Sequence, residues 1–337
     1  MEKEKSLLQM PKNQTKAVLV LTGLLILLIF NLGACNSASD EPQTVTIGVM
    51  NLAPVLEPVY EGFRDEMTEL GYIEGENIIY IYAGPTGDIA KLDEVAQGLV
   101  DQNVDLILAL STPAAAAAIK ATQEIPIIFA PISDPLRAGL VTNLAQPDGN
   151  ATGVQWGLSE PRRLEWLLTL DPDIEKIYIP YNPEDNAGVV VLGDIQEAAE
   201  QFDVELVLQE ARDGDEITAA IESIPDDADA IYLLPDNLVV SRVADFAEAA
   251  IAREMPLTAP GDSTAEAGGL MAYGLRFYPA GQQSAQMAHQ VLQGVAAGDL
   301  PVETTEFFLA INLKTANAIG LEISDDILRQ ADTIIRE

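Results

Sequence analysis

The sequence predicts an α/β protein made of two doubly wound parallel-sheet lobes, and three observations carry that prediction. Unbroken apolar runs such as Leu106 to Leu110 and Ile127 to Ile132 have the pattern of strands buried on both faces. Segments with apolar residues every third or fourth position separate them, as helices do. The alternation of strand and helix runs from Thr44 to about Gln155 and restarts at Lys176, so the architecture repeats without a repeat of residues.

The most informative stretch is Leu106 to Pro135. An apolar run breaks at Ser111-Thr112-Pro113, an alanine-rich helix follows through Lys120, and a second apolar run breaks at Ser133-Asp134-Pro135. Two buried strands joined by one helix form a parallel βαβ unit, and open parallel sheets bind ligands beyond the carboxyl ends of their strands. Both polar breaks lie at those ends. Thr112 is placed to cap the helix, with Pro113 in its first turn.

The other elements follow in order. Thr44 to Met50 reads as a strand, and Val55, Val59, Phe63, Met67 and Leu70 mark a helix that stops at Gly71. A strand over Asn77 to Tyr82, a helix marked by Ile89, Leu92, Val95 and Leu99, and a short strand over Thr152 to Gln155 complete the first half. In the second half, strands are expected at Lys176 to Tyr181, Val204 to Leu208, Ala230 to Leu234 and Pro256 to Ala259. Helices are expected at Val189 to Phe202, Glu216 to Ile224 and Val239 to Arg253. Beyond these come a strand over Leu270 to Tyr273, a helix over Ala280 to Gly294, a last strand over Phe307 to Ile311 and a helix over Leu313 to Ile319. An extra unit after two full lobes implies that the chain crosses between them more than once. The expected lobes are 44–157 with 272–300, and 158–271 with 301–337.

At the amino terminus Lys3, Lys5, Lys12 and Lys16 precede an apolar core from Ala17 to Phe30, the pattern of a secretory signal peptide over residues 1–34. Leu32-Gly33-Ala34-Cys35 resembles the lipobox of bacterial lipoproteins, which implies cleavage before Cys35 and a diacylglycerol on its thiol. Cys35 is the only cysteine, and the polar stretch behind it, residues 35–43, suits a tether. The alternative is an uncleaved membrane anchor. The chain carries a net charge of −35, and a surface this acidic repels nucleic acid and anionic lipid headgroups, which argues against a DNA-binding regulator.

Catalysis has little support. The sole histidine, His289, lies mid-helix, and no GxSxG elbow, HExxH pair, Cys/His cluster or phosphate-binding glycine loop is present, so neither an enzyme nor a cofactor is expected. Binding is better supported. Ser111, Thr112 and Pro113 place hydroxyls and free N–H groups at a helix start, which favours an anion, and Ser133 and Asp134 offer the same with a charge added. From the other lobe Asp236, Asn237 and Asp262 end strands and suit an ammonium group. Asn182 follows Tyr181 at another strand end, and Tyr181, Trp156 and Tyr273 suit the flanks of an apolar or aromatic side chain. Each residue alone also fits ordinary turn chemistry; as a set at strand ends of two facing lobes they point to a ligand. Trp166, spaced with Leu164 and Leu168, reads as packing.

Five motifs in order, EGFRDEMTELGYIEGENI (Glu61 to Ile78), ALSTPAAAAA (Ala109 to Ala118), ISDPLRAGLV (Ile132 to Val141) with DGNATGV (Asp148 to Val154), YNPEDNAGV (Tyr181 to Val189) and LLPDNLVVS (Leu233 to Ser241), resemble the ABC-transporter substrate-binding lipoproteins of the tryptophan/tyrosine-binding type. The resemblance covers nearly all of residues 44–328. It implies a type I periplasmic-binding-protein fold, with lobes joined by three crossings and closing on a small molecule. It also implies delivery to an ABC permease driven by a separate ATPase subunit. The segment Leu52-Ala53-Pro54-Val55-Leu56 departs from the His-Pro-Ala-Leu type usual after the first strand, so ligand identity does not carry over. The expectation is an extracytoplasmic, membrane-anchored, monomeric solute-binding protein whose ligand is an amino acid, with aromatic ones among the candidates. A ligand-sensing lipoprotein, or a binder of a nucleoside or sugar, is the alternative.

Overall fold

The computed structural model describes residues 44–157 and 159–336; the expected signal segment, Cys35 and the tether lie outside the described residues. Strands are β1 (Val45–Asn51), β2 (Ile78–Ile81), β3 (Leu106–Leu110), β4 (Ile127–Ile132), β5 (Ala151–Gln155), β6 (Lys176–Tyr181), β7 (Glu205–Glu210), β8 (Ala230–Tyr232), β9 (Leu257–Ala259), β10 (Met271–Gly274), β11 (Glu303–Thr304), β12 (Phe308–Asn312) and β13 (Thr333–Ile335). The helices are α1 (Glu57–Glu69), α2 (Leu92–Asp101), α3 (Thr112–Ala121), α4 (Glu160–Leu170), α5 (Asn186–Phe202), α6 (Gly214–Glu222), α7 (Asn237–Val240), α8 (Val243–Ala252), α9 (Ser263–Glu266), α10 (Phe277–Leu292), α11 (Leu313–Ala318) and α12 (Asp325–Leu328). The expected single helix from Val239 to Arg253 is broken between α7 and α8.

Two sheets result, ordered β11-β5-β4-β3-β1-β2 and β13-β12-β10-β9-β8-β6-β7. Helices cover both faces of the first. Val59, Phe63 and Met67 of α1 pack with Leu106, Leu108 and Leu110 on one face, while Leu92, Ala96 and Leu99 of α2 pack with Ile107, Ala109 and Phe129 on the other. Complete burial of such a side chain contributes roughly 1.5–3 kcal/mol. The second lobe repeats the arrangement, with α4 and α5 on one face and α6 and α8 on the other. Trp166 belongs to that core, as its spacing suggested.

The crossings follow from sheet membership. The chain leaves the first sheet after β5 and returns to it after β10, because α10 packs in the first core. It leaves again between β11 and β12. The expected boundaries at 272 and 301 therefore need correction: β10 pairs with β9 and β12 in the second sheet, and β11 pairs with β5 in the first. The return by β12 also explains its direction. A chain that leaves the second sheet at the cleft end of β10 re-enters at that same end, so β12 must run back, and β10–β12 is the one antiparallel pair among the described strands. Strand β13, parallel to β12, was not foreseen.

Helices α1 and α10 approach so closely that a Cβ on Gly281 would collide with the carbonyl oxygen of Val59, and one on Gly62 with that of Tyr278. Gly281→Ala gains about 1 kcal/mol of helix propensity, but the obstacle is backbone and cannot move aside. We expect a net loss of about 2 kcal/mol or more from overpacking, read by urea denaturation. Gly98→Ala in α2, where a Cβ meets nothing within 4 Å, should instead stabilise by up to about 1 kcal/mol. A stabilised Gly281→Ala protein would contradict the packing described.

Candidate functional site

Where the carboxyl ends of the two sheets face each other lies a narrow cavity of about 40 Å³. Val55, Leu56, Ser111, Thr112, Pro131 and Ser133 line it from the first lobe. Ala187, Pro235, Asp236, Asn237, Val240 and Pro260 line it from the second, and Trp156 and Phe277 come from the crossings.

The wall on the first lobe is shaped by one residue. Strand β3 ends at Leu110 and α3 begins at Thr112, so Ser111 makes the whole corner, at φ 107° and ψ 157°. Such a conformation costs a non-glycine residue about 1–3 kcal/mol and clusters at ligand sites. Ser111 Oγ accepts the N–H of Ala114 at 3.3 Å, so the helix cap is Ser111 and not Thr112. Pro113 has no N–H, and Ala114 is the first donor within reach. Thr112 is thereby released: its Oγ1 is buried, lines the cavity and has no partner among the described residues. Ser133 lies at the end of β4, and its Oγ donates to the carbonyl of Ala187 in the opposite lobe at 3.0 Å.

Asp236 lines the opposite wall and Asp185 lies at the adjoining opening; both are fully buried. Asp236 caps α7, accepting the N–H of Val239 at 3.0 Å, and its other oxygen accepts the backbone N–H of Asn182. Asp185, which sequence reasoning missed, caps α5 through the N–H of Ala187 at 2.9 Å. It also accepts the backbone and side-chain N–H groups of Asn237, at 2.8 and 2.7 Å. Each carboxylate thus caps its own helix and binds the turn of the other. Burial, and then the charge of Asp185, push the Asp236 carboxyl up to about 8; burial raises Asp185 as well. Among the described residues neither carboxyl has a cation beside it; their partners are backbone and amide N–H groups.

The remaining expected residues lie elsewhere. Pro113 is buried behind Thr112. Asn182 and Asp185 line a wider opening that adjoins the cavity at Asn237. Asp134 is held by Arg137 instead of facing the cavity. Tyr181 reaches Glu210 at 3.2 Å, because the end of β6 carries its ring toward the edge strand β7. Tyr273 stacks on Phe307 with centroids 5.7 Å apart, and Asp262 accepts the N–H of Ser263 at 3.1 Å and that of Phe277 at 3.5 Å, which ties it to a crossing. The apolar wall supplied by Phe277 and Val240 carried no signal apart from helical spacing. Among the described residues no cluster could hold a metal ion.

Residues 44–335 match a family model described as ABC transporter substrate binding protein. A tyrosine-binding protein of Clostridioides difficile (strain R20291) is 31% identical over 290 residues, covering 85% of this chain and 84% of that one. The crystal structure of an ABC domain in complex with L-Trp from Streptococcus pneumonia has a TM-score of 0.81 at 27% identity, over 87% of this chain and 100% of the other. A ligand-free, open substrate binding protein with adhesive properties from Clostridium difficile has a TM-score of 0.65 at 27% identity, over 88% of this chain and 100% of the other.

The roles of Ser111 and Thr112 separate by substitution. Ser111→Ala should cost about 1 kcal/mol through the lost cap. Thr112→Val removes a buried hydroxyl that has no partner while keeping its shape, so the empty protein should be unchanged or more stable by up to about 1 kcal/mol. Both are read by urea denaturation. A Thr112→Val loss as large as that of Ser111→Ala would mean that the hydroxyl is already engaged.

Proposed function

Since the chain belongs to the ABC transporter substrate-binding protein family, we propose that its interlobe cavity captures a free α-amino acid with an apolar or aromatic side chain. The observation that carries this reading is the division of the cavity. Buried Asp236, with no cation beside it among the described residues, faces a helix start with an unengaged hydroxyl, and between them the walls are Val55, Leu56, Trp156, Val240 and Phe277. A zwitterion with an apolar side chain satisfies all three parts: its ammonium lies at Asp236, its carboxylate at the Ser111–Ala114 corner, and its side chain between the rings. A sugar would strand its hydroxyls against those apolar walls. The relatives point the same way, one being a tyrosine-binding protein and another a complex with L-Trp. The greater likeness to the L-Trp complex than to the open, ligand-free structure fits lobes closed on the cavity.

Membership in this family supports delivery to a permease and its ATPase. Leu32 to Cys35 supports a lipid anchor on the extracytoplasmic face, checked by palmitate labelling of wild type against Cys35→Ser.

The reading is tested at Asp236. Asparagine caps helices well, so Asp236→Asn removes the charge and keeps the cap, while its amide nitrogen gives up the bond from the N–H of Asn182; the melting temperature of the empty variant reads that structural loss separately. Affinity for L-tyrosine or L-tryptophan should fall by about 1.5–3 kcal/mol, the range for hydrogen bonds to charged groups, measured by titration calorimetry. Because Asp236 is raised to about 8, the carboxyl must lose its proton before it can hold an ammonium. Wild-type affinity should therefore rise from pH 6 to pH 8, and Asp236→Asn should abolish the rise. Equal affinity in the variant at every pH would remove the ammonium site and favour a neutral ligand.

A further inference from the structure

We propose that Arg137 sets how tightly the protein holds its ligand, as a latch between the lobes that does not touch the ligand. The proposal rests on the amino-acid reading for its probe and on separate geometry for its substance. Segment Ser133 to Arg137 follows β4 in the first lobe and lies along α5 of the second. Ser133 Oγ meets the carbonyl of Ala187 at 3.0 Å. Arg137 Nη1 and Nη2 meet the two carboxylate oxygens of Asp194 at 3.0 and 2.5 Å. Ala187 and Asp194 are two helical turns apart and share one face of α5, so a single short segment runs along that helix in register.

Asp134 prepares the contact. Its carboxylate accepts the backbone N–H of Arg137 at 2.9 Å and its Nε at 2.6 Å, which leaves the outer fork of the guanidinium directed at Asp194. Exposed ion pairs contribute little because both long side chains must be immobilised for them. Here one partner is already oriented within its own lobe, the pairing is bidentate, and Asp194 is only 21% exposed. In a chain with 18 Lys and Arg against 53 Asp and Glu, this is a scarce cation placed where two lobes would otherwise bring Asp134 and Asp194 together uncompensated. When the lobes part, Asp134 keeps Arg137 and Asp194 loses it. The pair therefore belongs to the closed state alone and raises its population, and apparent affinity scales with that population.

The test compares full-length wild type, Arg137→Ala, Asp194→Ala and the double variant, with L-tyrosine as probe. Each single variant should bind about three- to tenfold more weakly, through faster dissociation. Wild-type affinity should fall between low and high sodium chloride, while the variants stay flat. The double variant should be no weaker than either single one, and Arg137→Lys should recover part of the loss. Unchanged affinity and salt response in Arg137→Ala, or additive losses in the double variant, would overturn the latch. If wild type binds neither L-tyrosine nor L-tryptophan, the amino-acid reading fails. The latch is then decided by small-angle scattering from the empty proteins at low salt: a more compact wild type than Arg137→Ala supports it, and identical curves overturn it.

Discussion

Each parallel strand hands its chain to a helix at the same end of its sheet, and the first N–H groups of that helix have no partner within it. In this protein the two sheets turn those ends toward each other, so that obligation falls on residues at the cleft. Ser111, Asp185 and Asp236 meet it with side-chain oxygens. The caps leave, on one side of the cavity, a hydroxyl on Thr112 with no partner among the described residues and, on the other, the buried carboxyl of Asp236.

The crossings supply the rest. Trp156 stands on the first crossing and Phe277 on the second, so the aromatic wall is built on the segments that join the lobes. Tyr273 and Phe307 stack between the second and third crossings, and Arg276 lies 5.2 Å from the ring centre of Phe308. Gly261, at φ 86°, makes room for Phe277, whose ring would collide with any Cβ there.

The parallel strands were legible because burial on both faces leaves an unbroken apolar run, as in Leu106 to Leu110. The crossings were less so. Met271 to Gly274 reads equally well as the end of one lobe or the start of the next, and only its pairing with β9 and β12 decides. At Ser111-Thr112 either hydroxyl fits the cap, and the choice lies in a backbone angle that no residue pattern announces. Asp185 was hidden in a turn rich in Asn, Pro and Asp, whose composition is explained without a ligand. Its role depends on Asn237, which is distant in sequence. Conversely Asp134, Tyr181 and Tyr273 were plausible by position at strand ends, but each found a neighbour in its own part of the fold.

The central claim is that one cavity reads both ends of a zwitterion. Titration calorimetry of the full-length protein with L-tyrosine, with tyramine, which lacks the carboxylate, and with 3-(4-hydroxyphenyl)propionate, which lacks the ammonium, tests it most directly. Loss of either charge-assisted contact at about 1.5–3 kcal/mol predicts that L-tyrosine binds and that each analogue binds at least about tenfold more weakly. Binding of the propionate as tightly as the amino acid would contradict the role given to Asp236, and with it the account of the cleft.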